Sequence, residues 1–194
     1  MQVQETDEKL ALENIEVLTN VQDEIQAATG RPNMRSLSLS GYERNLLGRN
    51  DGGGRFENIA SLVGIDTVLD SRSVVSGDID GDGDLDLVLR NFTNPRLLYM
   101  ENVYPQPGNY LRVRLEGEAG NPTGIGAQVR LEANGWIQEQ AVTAGAGFMT
   151  QHPSVLHYGL GEHTGVERVV VRWPDGTESV VDSPELGREL VVRR

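Results

Sequence analysis

The chain has 194 residues, of which 38% are hydrophobic and 24% charged. That is enough for one or two domains that bury about 70% of the surface an unfolded chain exposes, and it lies outside the composition of disordered segments. Twenty-nine acidic against seventeen basic residues leave a net charge of −12, a field that repels phosphate backbones and anionic lipid and argues against a nucleic-acid partner. The absence of cysteine excludes disulfides, thiolate zinc sites and cysteine nucleophiles. No stretch reaches the roughly 20 apolar residues of a membrane span, and no signal peptide is visible in this chain, whose first residues are acidic.

Ala11, Ile15, Leu18, Gln22 and Ile25 repeat at helical steps, with Leu12, Val21 and Ala28 beside them. This predicts an amphipathic helix over residues 7–29, in a segment taken as 1–33. Thr6, Asp7 and Glu8 suit its positive N-terminal end, and Gly30 followed by Pro32 stops it. Its apolar stripe must dock on the rest of the chain or on a second copy, so a homo-oligomer is one expected partner state. Beyond Met34 short apolar runs are cut by Gly, Asn, Asp and Pro, the mark of a mainly β chain.

Leu46-Leu47, Asn50-Asp51-Gly52-Gly53-Gly54 and Arg55 to Ile59 read as a hairpin whose glycines supply positive φ. Ser73 to Ser76 and Leu85 to Leu89 form a second strand pair around an acidic loop. Tyr104-Pro105-Gln106-Pro107-Gly108 reads as a linker, giving a β unit over 34–104 and a C-terminal domain over 105–194. In that domain Leu111, Val113 and Leu115 alternate with charged residues, as do Ala127, Val129 and Leu131 with polar ones. Further strands are expected near 136–142, 154–158, 166–173, 177–181 and 190–193, with Pro174-Asp175-Gly176 as a hairpin turn. Seven short strands at regular spacing predict a β-sandwich, with a small barrel as the alternative.

The segment Asp78-Ile79-Asp80-Gly81-Asp82-Gly83-Asp84-Leu85-Asp86 places acids at loop positions 1, 3, 5 and 9 and a glycine at position 6. Carboxylates crowded in this way repel one another by about 1–4 kcal/mol per close pair unless a cation lies among them. An all-oxygen donor set selects Ca²⁺. Asp78, Asp80, Asp82 and Asp86 are the expected side-chain ligands, with Asp84 contributing its backbone carbonyl. Position 12 is Leu89, not the bidentate Glu of an EF-hand, and the loop runs straight into a strand, so this is a metal loop between strands.

Gly41-Tyr42-Glu43-Arg44-Asn45-Leu46-Leu47, the Asn50 to Phe56 segment and the Asp78 to Asp86 loop resemble an FG-GAP/VCBS-type repeat. Gly124-Ile125-Gly126-Ala127, Gly145-Ala146-Gly147-Phe148, Leu156-His157-Tyr158-Gly159-Leu160-Gly161 and Trp173-Pro174-Asp175-Gly176 resemble the ASPIC/UnbV domain. The pairing is similar to that of the cartilage acidic protein family and its bacterial relatives. The resemblance implies one propeller-blade-like unit with a calcium loop, then a β-sandwich, in an extracellular or periplasmic protein.

Three functional readings remain open. One is a non-catalytic, calcium-stabilised binding or adhesion module for a protein or carbohydrate ligand. A second is an enzyme or enzyme accessory with a site between blade and sandwich. The third is a self-assembling structural protein that uses the N-terminal helix. No Gly-x-Ser-x-Gly elbow or complete dinucleotide loop is present. His152, His157 and His163 share no single period, so each reads as a structural or solvent-facing histidine before it reads as a metal ligand. Trp136 and Trp173 read as core residues before sugar platforms. Asn91-Phe92-Thr93 fits a glycosylation sequon by chance.

Overall fold

A computed structural model describes residues 43–92, 94–104 and 108–194. The helix expected over 7–29, the Gly41-Tyr42 pair and the prolines at 105 and 107 lie outside the described residues. The regular elements of the described residues are twelve strands, as a mainly β reading requires. The described residues fall in two compact units, one comprising those up to Val75 and from Asp86 to Val103, the other those from Ser76 to Leu85 and from Tyr104 onward.

In the first unit β1 (Gly48–Asn50) and β2 (Phe56–Asn58) form the expected antiparallel hairpin, with Asn50 opposite Phe56. Its turn is closed by side chains: Asn50 Oδ1 accepts the Gly52 N–H at 2.9 Å and Asp51 Oδ1 accepts the Gly53 N–H at 2.8 Å. Such turns are why Asn and Asp precede the glycines. A three-stranded sheet follows, in the order β3 (Ser71–Gly77), β4 (Asp86–Asn91), β5 (Leu97–Met100). The last two residues of β3 belong with the second unit.

The sequence pattern of β4 suggests strict alternation, but the buried positions are Asp86, Leu89 and Asn91. Hydrogen bonds account for the two polar ones. Asp86 Oδ1 accepts the Asn102 N–H at 2.9 Å. The Asn91 amide lies between Ser71 Oγ and the Pro95 carbonyl, both at 2.8 Å. A side chain enclosed in that way cannot accept a glycan, so the sequon at Asn91 is fortuitous. Ala60, Ile65, Leu89 and Met100 are the buried apolar residues of this small core.

The second unit is a sandwich. One sheet runs β11 (Glu178–Asp182), β10 (Arg168–Arg172), β7 (Gln128–Ala133), β8 (Trp136–Ala141), antiparallel throughout. The other is β12 (Glu189–Arg193), β6 (Asn109–Glu116), β9 (Leu156–Gly161), with β6 parallel to β12 and antiparallel to β9. Period two holds here: Leu111, Val113 and Leu115 of β6, Val129 and Leu131 of β7, and Val169 and Val171 of β10 all point into one core. Tyr158 of β9 crosses that core and donates its hydroxyl to the Val129 carbonyl at 2.9 Å. Burial pushes its phenol well above the ordinary tyrosine value, because the charged form would lose its solvation. Trp173 is likewise buried and donates Nε1–H to Ser179 Oγ at 2.9 Å.

Candidate metal centre

The acidic loop belongs to the second unit. One carboxylate oxygen from each of Asp78, Asp80 and Asp82 lies within 4.8 Å of the others. The loop's own backbone organises them. Asp78 Oδ1 accepts the Gly81 N–H at 2.8 Å, Asp80 Oδ1 the Asp82 N–H at 3.2 Å and Asp82 Oδ1 the Asp84 N–H at 3.0 Å. Three successive turns of this kind point alternate side chains towards one centre, which explains the spacing of two. Gly81 and Gly83 take φ of +84° and +99°, a region that suits glycine.

Two sandwich strands hold the loop in place. Arg112 of β6 donates from Nη1 to Asp78 Oδ2 at 2.7 Å, and the Asp78 side chain is only 4% exposed. His157 of β9 donates from Nε2 to the Gly83 carbonyl at 2.9 Å. Tyr110 completes the seat. Its ring stacks on His157 with centroids 5.7 Å apart, its hydroxyl reaches the Gly187 carbonyl at 3.1 Å, and it leaves Gly83 no room for a Cβ.

The residues present suit calcium. Oxygens bound to one Ca²⁺ at 2.3–2.6 Å lie at most about 5 Å apart, so a trio this close can share one coordination sphere. Every donor is a hard oxygen, and at these separations three carboxylates repel by about 1–3 kcal/mol per pair unless neutralised. Asp84 lies within the loop, and its N–H donates to Asp82 Oδ1. Asp86, read from the sequence as a further side-chain ligand, is not one of the converging three. It opens β4, is fully buried, and gives Oδ1 to Asn102.

Arg112 and His157 were invisible as loop anchors in the sequence, because they stand 34 and 74 positions from the groups they hold. The only local signal was that each lies on the polar face of an alternating strand. His152 has a similar role, accepting the Ser76 N–H at Nδ1 (3.2 Å), while His163 stacks on Trp136 at 5.1 Å. The three histidines thus serve separate structural contacts. Trp173 is core, as expected, and Trp136 lies at the surface.

Comparison with protein families agrees with this organisation. The family described as FG-GAP-like repeat matches residues 36–89, and the family described as ASPIC and UnbV matches residues 117–194. The chain carries an FG-GAP-like repeat followed by an ASPIC/UnbV domain. The FG-GAP match takes in the whole acidic loop, and FG-GAP repeats commonly bind calcium. The ASPIC/UnbV match starts at Gly117, just after β6, yet β6 is the central strand of its sheet and supplies the loop anchor Arg112. The two families are consistent with a module of binding or adhesion type and are typically extracellular or periplasmic. Among the described residues no helix is long and apolar enough to cross a membrane. No curated protein matches the chain.

Proposed function

We propose that this chain is a non-catalytic, calcium-stabilised binding or adhesion module that works outside the cytoplasm. The observation that carries the reading is the convergence of Asp78, Asp80 and Asp82 in a loop fastened to the sandwich by Arg112 and His157. Bound Ca²⁺ supplies two positive charges that offset the mutual repulsion of these carboxylates. Asp84, through its carbonyl, and Asp86 are proposed to complete the ligand set. Arg112 neutralises part of the charge of Asp78 and fixes the loop's first residue, while the loop glycines let the chain turn. The outcome is a rigid loop on the sandwich surface, suited to presenting a fixed face to a protein or carbohydrate ligand. Extracellular modules bind Ca²⁺ at about 0.1–1 mM, which fits an extracellular or periplasmic setting.

A thermal melt of the full chain tests this reading. Chelator should lower the midpoint and added Ca²⁺ restore it, since a ligand at a hundred times its dissociation constant stabilises the folded state by about 2.7 kcal/mol. A midpoint indifferent to both would remove calcium from the account.

A further inference from the structure

The second unit contains a cavity of about 450 Å³ beside the acidic loop, between the loop and the segment that carries Ala146 and His152. This is within the size range of small-molecule sites, about 300–1,000 Å³. Two nitrogens of its lining histidines, His152 Nε2 and His157 Nδ1, have no hydrogen-bond partner among the described residues. Arg112 also lines it, with Nη1 given to Asp78 and a side chain that is 27% exposed. His152 Nδ1 meets Ser76, with the N–H at 3.2 Å, Oγ at 3.3 Å and the carbonyl at 3.5 Å, so Nε2 is the ring nitrogen left over. His157 donates from Nε2 to Gly83, so its Nδ1 remains an acceptor. Backbone groups thus occupy Nδ1 of one ring and Nε2 of the other.

We propose that this cavity binds a neutral polyhydroxylated ligand, a single sugar ring or a polyol of similar size. A hydroxyl donates and accepts at once, which matches a lining that offers His152 Nε2, His157 Nδ1 and the Arg112 guanidinium. The charge balance selects against anions. Asp78 and Glu189 also line the cavity, and each already accepts from a guanidinium, Asp78 from Arg112 and Glu189 from Arg114 at 2.7 Å. The wall thus has two carboxylates to one guanidinium, beside an acidic loop in a chain of net charge −12, an environment that repels anions. The proposal rests on the binding-module reading and gives it a ligand class, but it does not need the metal.

Amide shifts in a two-dimensional NMR spectrum of the full chain provide the test, with D-galactose, D-mannose and D-glucuronate as probes, each with Ca²⁺ and with chelator. At least one neutral sugar should give saturable shifts at millimolar concentration in β6, β9 and residues 143–152, while glucuronate binds more weakly. Ala146→Phe, which fills the cavity without touching the metal loop, should abolish the shifts. His152→Phe should weaken binding about two- to tenfold, the value of one hydrogen bond. A dispersed spectrum unmoved by either neutral sugar, glucuronate binding tenfold tighter than both, or shifts that survive Ala146→Phe would each overturn the proposal. Sugar shifts that persist in chelator, alongside a melt indifferent to calcium, would uphold the cavity and sink only the metal reading. A melt raised by calcium with no sugar shifts would do the reverse.

Discussion

Gly83 is the point at which the acidic loop meets the sandwich, and substituting alanine there tests that seat directly. A Cβ added at Gly83 would lie 2.0 Å from Tyr110 Cε1, 2.5 Å from Cζ and 2.6 Å from Cδ1. The ring cannot swing aside cheaply, because it stacks on His157 and its hydroxyl is bound to the Gly187 carbonyl. Gly81→Ala is the matched control, with a φ of +84° but nothing within 4 Å of the added atom. Both substitutions carry backbone strain of about 1–3 kcal/mol. Only Gly83→Ala adds the overpacking cost, a further 1–3 kcal/mol or about 5–20 °C for a domain of this size. Urea and thermal unfolding of the two variants should separate them by that margin, and the excess should shrink when Tyr110→Ala is also present. If the two variants melt together within about 0.5 kcal/mol, the loop is not seated on Tyr110 and the anchoring argument fails.

Asp80→Asn and Asp82→Asn remove charge from the exposed side of the loop, so each should raise the midpoint slightly in chelator and weaken the calcium-dependent rise, read by melts across a calcium series. Tyr158→Phe deletes the bond to the Val129 carbonyl and should cost about 1–2 kcal/mol by urea unfolding, since that carbonyl then keeps only its strand partner in a dry core. Acid should weaken the sandwich in a defined window. Arg114 and Arg193 lower the Glu116 carboxyl below its ordinary 4.5, and Arg168 together with Arg130 does the same for Glu132. A native value lower than the unfolded one contributes stability that is complete above pH 4.5 and is lost as pH falls below it towards the native value. Arg168→Gln should flatten the part of that acid limb due to Glu132, and high salt should flatten all of it, because these pairs are exposed. Melts between pH 5 and pH 3 would record both effects, and a slope unchanged by either would contradict the assignment.

The sequence by itself determined the sandwich strands, because Leu111, Val113 and Leu115 in one strand and Val129 and Leu131 in another must alternate to bury one face, and that period is a local property. It also determined the chemistry of the acidic loop, since spacing carboxylates by two along a chain bent at Gly81 and Gly83 already makes them converge. The loop's place in the fold was not legible there. Sequence alone groups the loop with the strands it joins. The tertiary structure instead gathers Ser76–Leu85 with the sandwich, through an ion pair 34 residues away and a hydrogen bond 74 residues away. Long-range partners leave no periodic trace, because either end of such a contact looks locally like any polar residue on a strand's outer face. The same reason hid the hydrogen bond of Asp86, whose burial against the Asn102 N–H depends on how β4 and β5 pair. Local periodicity decided which residues face inward, and three-dimensional proximity alone decided which polar groups hold the loop and which face the cavity.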